Sequence, residues 1–94
     1  MTNDPHVISF RNPAGLRLAG DLWPAGTDAI VLAHGFASDR RSRGRFPYLA
    51  QRLVAAGYTA LAFDFAGCGE SDDTVLTLES QVADLRAAVR YLRS

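Results

Sequence analysis

The stretch Leu32-Ala33-His34-Gly35-Phe36-Ala37-Ser38-Asp39 holds the first residues whose types could do chemistry. An apolar run breaks there into a glycine turn, and Gly35 lets the backbone bend sharply enough for the next amides to point into a cleft. Amides aimed that way donate to an oxyanion developing on a reacting carbonyl, and the Phe36 amide is the best placed to do so. His34 is expected to bond loop backbone instead of serving as a general base, imidazole being capable of either. His6 lies on the weakest and most exposed element and is not read as catalytic.

A second segment, Phe63-Asp64-Phe65-Ala66-Gly67-Cys68-Gly69-Glu70-Ser71-Asp72, also follows an apolar run, and its glycines permit a tight loop beside the first. It is not a dinucleotide loop. Position 72 is Asp where a third glycine belongs, and the next helix begins too late to offer its N-terminus to a phosphate. Gly69-Glu70-Ser71-Asp72-Asp73 has the outline of a Gly-x-Ser-x-Gly nucleophile elbow, without the closing glycine or the direct passage from strand to helix. Ser71 and Cys68 are therefore read as loop residues, since neither has a visible base to activate it. Arg40, Arg41, Arg43 and Arg45 follow the first turn. They could clamp a carboxylate or phosphate, but a solvated loop is the plainer reading.

Loops placed in this way need buried strands ahead of them. Ala29 to Ala33 and Thr59 to Phe63 run apolar without alternation, which suits parallel strands covered on both faces, near 29–34 and 59–64. Between them Phe46, Leu49, Leu53 and Val54 recur at helical spacing. Pro47 falls in the first turn and Gly57 just past the last, giving a crossover helix near 46–56. Thr77 can cap a second helix near 77–93 carrying Val82, Leu85, Val89 and Leu92 on one stripe. Arg86, Arg90 and Arg93 lie toward its C-terminal end, where positive charge is favoured. Ahead of this unit, strands near 6–10 and 16–22 are joined through the turn-forming residues Asn12-Pro13-Ala14-Gly15. Alternation of Leu16, Leu18 and Leu22 with Arg17, Ala19 and Asp21 predicts one wet face for the second of these and a place near a sheet edge.

The fold class is α/β: an antiparallel N-terminal hairpin, a βαβ unit and a terminal helix, with right-handed crossovers putting the helices on both faces of a partial sheet. A chain of 94 residues makes one domain with a modest core. Its 48% apolar and 21% charged content is that of a globular chain, not a disordered one. Ten basic and ten acidic side chains cancel, so no overall field draws nucleic acid or an anionic membrane. Every basic residue is Arg, which leaves no Lys for a Schiff base or phosphate loop. The single Cys68 excludes an internal disulfide and a multi-cysteine zinc site, and no metal or cofactor is expected. The N-terminus has no basic region leading into an apolar run, and no stretch nears the ~20 apolar residues that span a bilayer. The chain therefore reads as soluble and cytoplasmic.

Together, the two loop segments with a helix between them resemble the N-terminal region of the α/β-hydrolase family, over nearly the whole chain from His6 to Ser94. His34-Gly35-Phe36 is similar to that family's oxyanion-hole loop after its third strand, and Asp64 to Ser71 is similar to the loop after its fourth. The pairing looks most like the esterases and acyl hydrolases that open with a His-Gly-Phe turn. This resemblance implies a serine hydrolase acting on an ester, thioester or amide, with Phe36 as backbone oxyanion donor and His34 and Gly35 shaping its loop. The family's nucleophilic Ser, acid and His sit on later elements that have no counterpart among these 94 residues. The chain alone is thus expected to be catalytically incomplete, with an acyl substrate bound only if the domain is completed. In the family's sheet the strands lie in the order one, two, four, three, five, so a fifth strand would pair with strand 29–34. Left open, that edge implies a homo-oligomer or a complementing chain. The alternative to a hydrolase segment is a non-catalytic module that assembles or binds a partner through the same edge.

Overall fold

The computed structural model describes residues 4–94. Its elements run β1 (His6–Arg11), β2 (Arg17–Trp23), β3 (Ala29–Ala33), α1 (Arg45–Ala55), β4 (Thr59–Phe63) and α2 (Leu78–Arg93). The four strands form one sheet in the order β1-β2-β4-β3. β1 and β2 are antiparallel, as are β2 and β4, whereas β3 and β4 are parallel with Val31 opposite Leu61. Asn12 and Gly15 close the hairpin turn through a 2.9 Å backbone bond, with Gly15 at φ 82°, a left-handed position that glycine occupies without strain.

Alternation along β4 divides the core in two. Leu61 and Phe63 join Leu18, Phe65, Ala66 and Ala88 on the α2 side, while Ala60 and Ala62 join Trp23, Leu32 and Ala50 on the α1 side. The helices therefore cover opposite faces. All four of those β4 side chains are fully buried, as the unbroken apolar run requires. Complete burial of a side chain such as Phe63 stabilises the fold by roughly 1.5–3 kcal/mol. Phe63 also meets the edge of Phe10 at 5.8 Å and of Phe65 at 4.8 Å.

The helix ends follow from local sequence. α1 stops in a Schellman arrangement: Gly57, at φ 95°, donates to the Val54 carbonyl and Tyr58 donates to that of Leu53. α2 starts in a capping box, where Thr77 Oγ1 accepts from the Ser80 amide at 3.0 Å and Ser80 Oγ accepts from the Thr77 amide at 3.0 Å.

Two expectations are corrected. β2 lies next to the edge strand β1, but it has no wet face, because it sits between β1 and β4 and both Ala19 and Asp21 are buried. Asp21 reads as solvated in the alternating pattern, yet a buried guanidinium covers it. The inward face of α2 also differs from the apolar stripe. Asp84, Ala87 and Ala88 are the buried residues, whereas Val82 and Leu85 are exposed. Asp84 tolerates that position because its carboxylate accepts 2.9 Å bonds from Asn12 Nδ2 and from the Ala66 amide, so both of its oxygens are paired.

Candidate functional site

The parallel pair β3 and β4 delivers two loops to the same end of the sheet, the C-terminal end where open α/β sheets bind ligands. Residues 34–41 leave β3 and residues 64–72 leave β4. The first loop is held by His34, whose Nε2 accepts from the Phe65 amide at 3.2 Å and whose Nδ1 lies 2.8 Å from the Gly35 carbonyl. An acceptor nitrogen carries no proton, so this network assigns the neutral Nδ1–H tautomer. Both ring nitrogens are occupied by backbone, the ring stands edge-on to Phe65 at 5.0 Å, and the residue is buried. His34 fastens one loop to the other and has no free nitrogen for a substrate proton.

Gly35 contributes through its carbonyl more than through its flexibility. Its φ lies outside the left-handed region, and a Cβ there would meet nothing within 4 Å. The bend instead falls two residues later, at Ala37, which is held at φ 57° while the Ser38 amide donates to Gly35 O at 3.3 Å. A non-glycine residue in that conformation costs about 1–2 kcal/mol, so the loop is maintained by its attachments and not by local preference. Within this turn the Phe36 amide donates to no acceptor among the described residues, and Phe36 is 87% exposed.

The second attachment is Arg40. Its backbone amide donates to Asp64 Oδ1 at 2.6 Å, its Nη1 to Asp64 Oδ2 at 2.5 Å and its Nη2 to Glu70 Oε1 at 2.7 Å. Its Nε lies 3.1 Å from Asp21 Oδ2, near enough for charge contact but not aligned as a hydrogen bond. Arg40, Asp21 and Asp64 are all buried. Burial works against the Arg40 charge, but the hydrogen bonds to Glu70 and Asp64 and the nearby Asp21 outweigh it and raise the guanidinium pKa. Arg40 is therefore neither solvated nor available to clamp a substrate anion, whereas Arg41, Arg43 and Arg45 are exposed. Ala37, Ser38, Asp39, Arg41, Arg43 and Gly69 border a depression of about 440 Å³ beside this loop. Its walls carry charge and are unlike an apolar acyl pocket.

Asp64 also explains one glycine of the second loop. Gly69, at φ 50°, brings its backbone so close that a Cβ would fall 2.4 Å from Asp64 Cγ. The Glu70 amide then donates to Asp64 Oδ2 at 3.0 Å. Ser71 Oγ donates to the Asp64 carbonyl at 2.6 Å and accepts from the Ala19 amide at 2.9 Å. Its proton is committed to backbone and no imidazole is bonded to it. Burial raises the pKa of the Cys68 thiol, and the carboxylates of Asp64 and Asp84 push in the same direction, so the thiolate is disfavoured. His6 is exposed on β1. No group of three His, Cys, Asp or Glu side chains among the described residues could hold a metal ion. No helix among them is long and apolar enough to cross a membrane.

A sheet with an antiparallel start, a parallel β3–β4 pair and two loops locked together at its C-terminal end is the opening of a known architecture. Residues 30–94 match the model of the alpha/beta hydrolase family, and the chain belongs to that family. It is 41% identical over 71 residues to the quorum-quenching protein AidA of Acinetobacter baumannii, a match covering 72% of this chain and 23% of the relative. It is likewise 41% identical over 66 residues to a monoacylglycerol lipase of Mycolicibacterium smegmatis, covering 67% of this chain and 22% of that protein. Among solved structures, the Pyrococcus furiosus esterase Pf2001 superposes on 96% of this chain and 35% of its own with a TM-score of 0.85 at 24% identity, a likeness of fold. The chain thus spans less than a quarter of the length of the two sequence relatives.

Proposed function

We propose that this chain is the N-terminal segment of a serine hydrolase that cleaves an ester, thioester or amide, and that it supplies the oxyanion-hole loop. The Phe36 amide is the donor, His34 and Gly35 hold its turn, and the nucleophile, acid and base come from residues other than these 94. The observation that carries this reading is the Phe36 N–H at the C-terminal end of β3, unpaired among the described residues, in a turn kept at an unfavourable φ by contacts with the loop after β4. Preorganised donors of this kind stabilise a tetrahedral intermediate without reorganising when charge develops. The relative that is a monoacylglycerol lipase supports acyl chemistry. The domain, taken as one unit over 1–94, works in the cytoplasm on a small acyl substrate, with no nucleic acid, membrane or cofactor involved.

The test replaces the matched segment of the M. smegmatis lipase with residues 30–94 of this chain. Expected are hydrolysis of a short-chain p-nitrophenyl ester by the chimera, uptake of one serine-reactive phosphonate outside the grafted residues, and no turnover by the 94-residue chain alone. Labelling of Ser71 by the phosphonate would sink the reading.

A second reading rests on a different observation. β3 is paired on one side only, and Leu78, Val82 and Leu85 are exposed along α2. Apolar surface beside an open strand edge is what an assembling module presents. Under this reading the chain forms a homo-oligomer, or accepts a complementing strand, through 29–34. Light scattering at micromolar concentration is expected to return a discrete multiple of the 10.2 kDa chain mass. A folded monomer would count against it.

A further inference from the structure

We propose that Arg40 is a positioning residue, which fixes the loop carrying the Phe36 amide against the loop after β4 and so sets where that amide points. This inference rests on the oxyanion reading of Phe36, but the contacts behind it do not. Phe36 lies between two attachments: His34, bonded to the Phe65 amide, and Arg40, bonded to Asp64 and Glu70 and touching Asp21. The positive φ of Ala37 lies between the same two points. A turn held against its own preference relaxes when either end is released. Three carboxylates converge on the one guanidinium, and its planar fork reaches β2, the start of the second loop and the middle of that loop at once. A lysine, as a point charge, could not hold all three directions.

Two substitutions separate positioning from bulk stability. Arg40→Lys keeps the charge and loses the fork. Glu70→Gln changes the partner whose side chain is 72% exposed and does not disturb the buried pair. Hydrogen bonding from Arg40 holds the Glu70 carboxyl below its ordinary pKa, with Arg41 and Arg17 adding to the effect. Asp64 and Asp39 are the acidic groups that share its surroundings.

The experiment is amide NMR on the 15N-labelled 94-residue chain. In the parent, the Phe36 amide shift should follow protonation of Glu70 at a pH below the usual carboxylate range, and that inflection should vanish in Glu70→Gln. In both variants the order parameters of Phe36, Ala37 and Ser38 should fall from about 0.85 toward 0.6 while Leu61 and Phe63 keep theirs. If Arg40→Lys does not fold, Glu70→Gln decides alone. Unchanged order parameters at 36–38, with a Phe36 titration that survives Glu70→Gln, would overturn the inference. Its failure is separable from that of the oxyanion reading. A loop that loosens as expected, while loss of the Phe36 N–H leaves chimera turnover intact, would remove the donor role and keep the clamp.

Discussion

Arg40→Ala is expected to destabilise the chain by about 3–5 kcal/mol, the usual consequence of removing one partner from a buried ion pair. Asp64 is fully buried and Asp21 nearly so, and Arg40 supplies the only cationic side chain paired with either among the described residues. Truncation leaves Asp64 with only the Arg40 and Glu70 amides as support and takes from Asp21 the cation beside it. A domain of this size has total stability toward the lower end of about 5–15 kcal/mol, so the loss takes most of it. Urea unfolding followed by the fluorescence of the buried Trp23 measures it. A midpoint within about 1 kcal/mol of the parent would show that the cluster does not hold the fold. Glu70 behaves differently, as an exposed partner with a depressed pKa. Its contribution is present above the ordinary carboxylate range and is lost as pH falls through the lowered folded value. The parent should therefore begin to lose stability in acid, and Glu70→Gln should remove that part of the pH dependence.

Phe36→Pro, introduced into the lipase chimera, is expected to lower kcat by roughly 10²–10³, the effect of deleting one oxyanion donor, about 2.7–4 kcal/mol. The geometry makes this a clean deletion. Gly35 to Ser38 form a turn with positive φ at Ala37, and the position before such a residue is one that proline favours. The Phe36 N–H has no partner to lose among the described residues, and its ring makes little packing at 87% exposure. KM should change far less than kcat, since the lost interaction belongs to the transition state. Full retention of kcat would remove Phe36 from the mechanism.

Much of the scaffold was legible because it depends on local periodicity. The unbroken runs at Ala29 to Ala33 and Thr59 to Phe63 are parallel strands, and Thr77 and Gly57 stand at helix ends as their types require. Only β4 is covered on both faces, however; β3, at the open edge of the sheet, buries Leu32 alone. What escaped depends on pairing across distance. Asp21 and Arg40 are 19 residues apart and Asn12 and Asp84 are 72 apart, so each reads alone as a solvated polar residue. Arg40 is also indistinguishable by type from Arg41, Arg43 and Arg45, and only the approach of Asp64 singles it out. The outward turn of Val82 and Leu85 was hidden for a related reason: the buried, doubly bonded Asp84 sets the inward face of α2. The left-handed conformations of Ala37, Ser42 and Arg43 leave no trace in residue type, because none is a glycine.

The order β1-β2-β4-β3 has a consequence for how the chain acquires its shape. β4 is the last of the four strands to be synthesised, yet it is the inner strand that pairs β3 and joins the β1–β2 hairpin to it. Until Phe63 has emerged from the ribosome, the earlier hairpin and the apolar β3 have no sheet to join. The β3-α1-β4 unit, paired across about thirty residues, is then expected to form before the hairpin docks on β4 across about forty. Translation speed through residues 45–63 would decide how long β3 stays unpaired and open to association with another nascent chain.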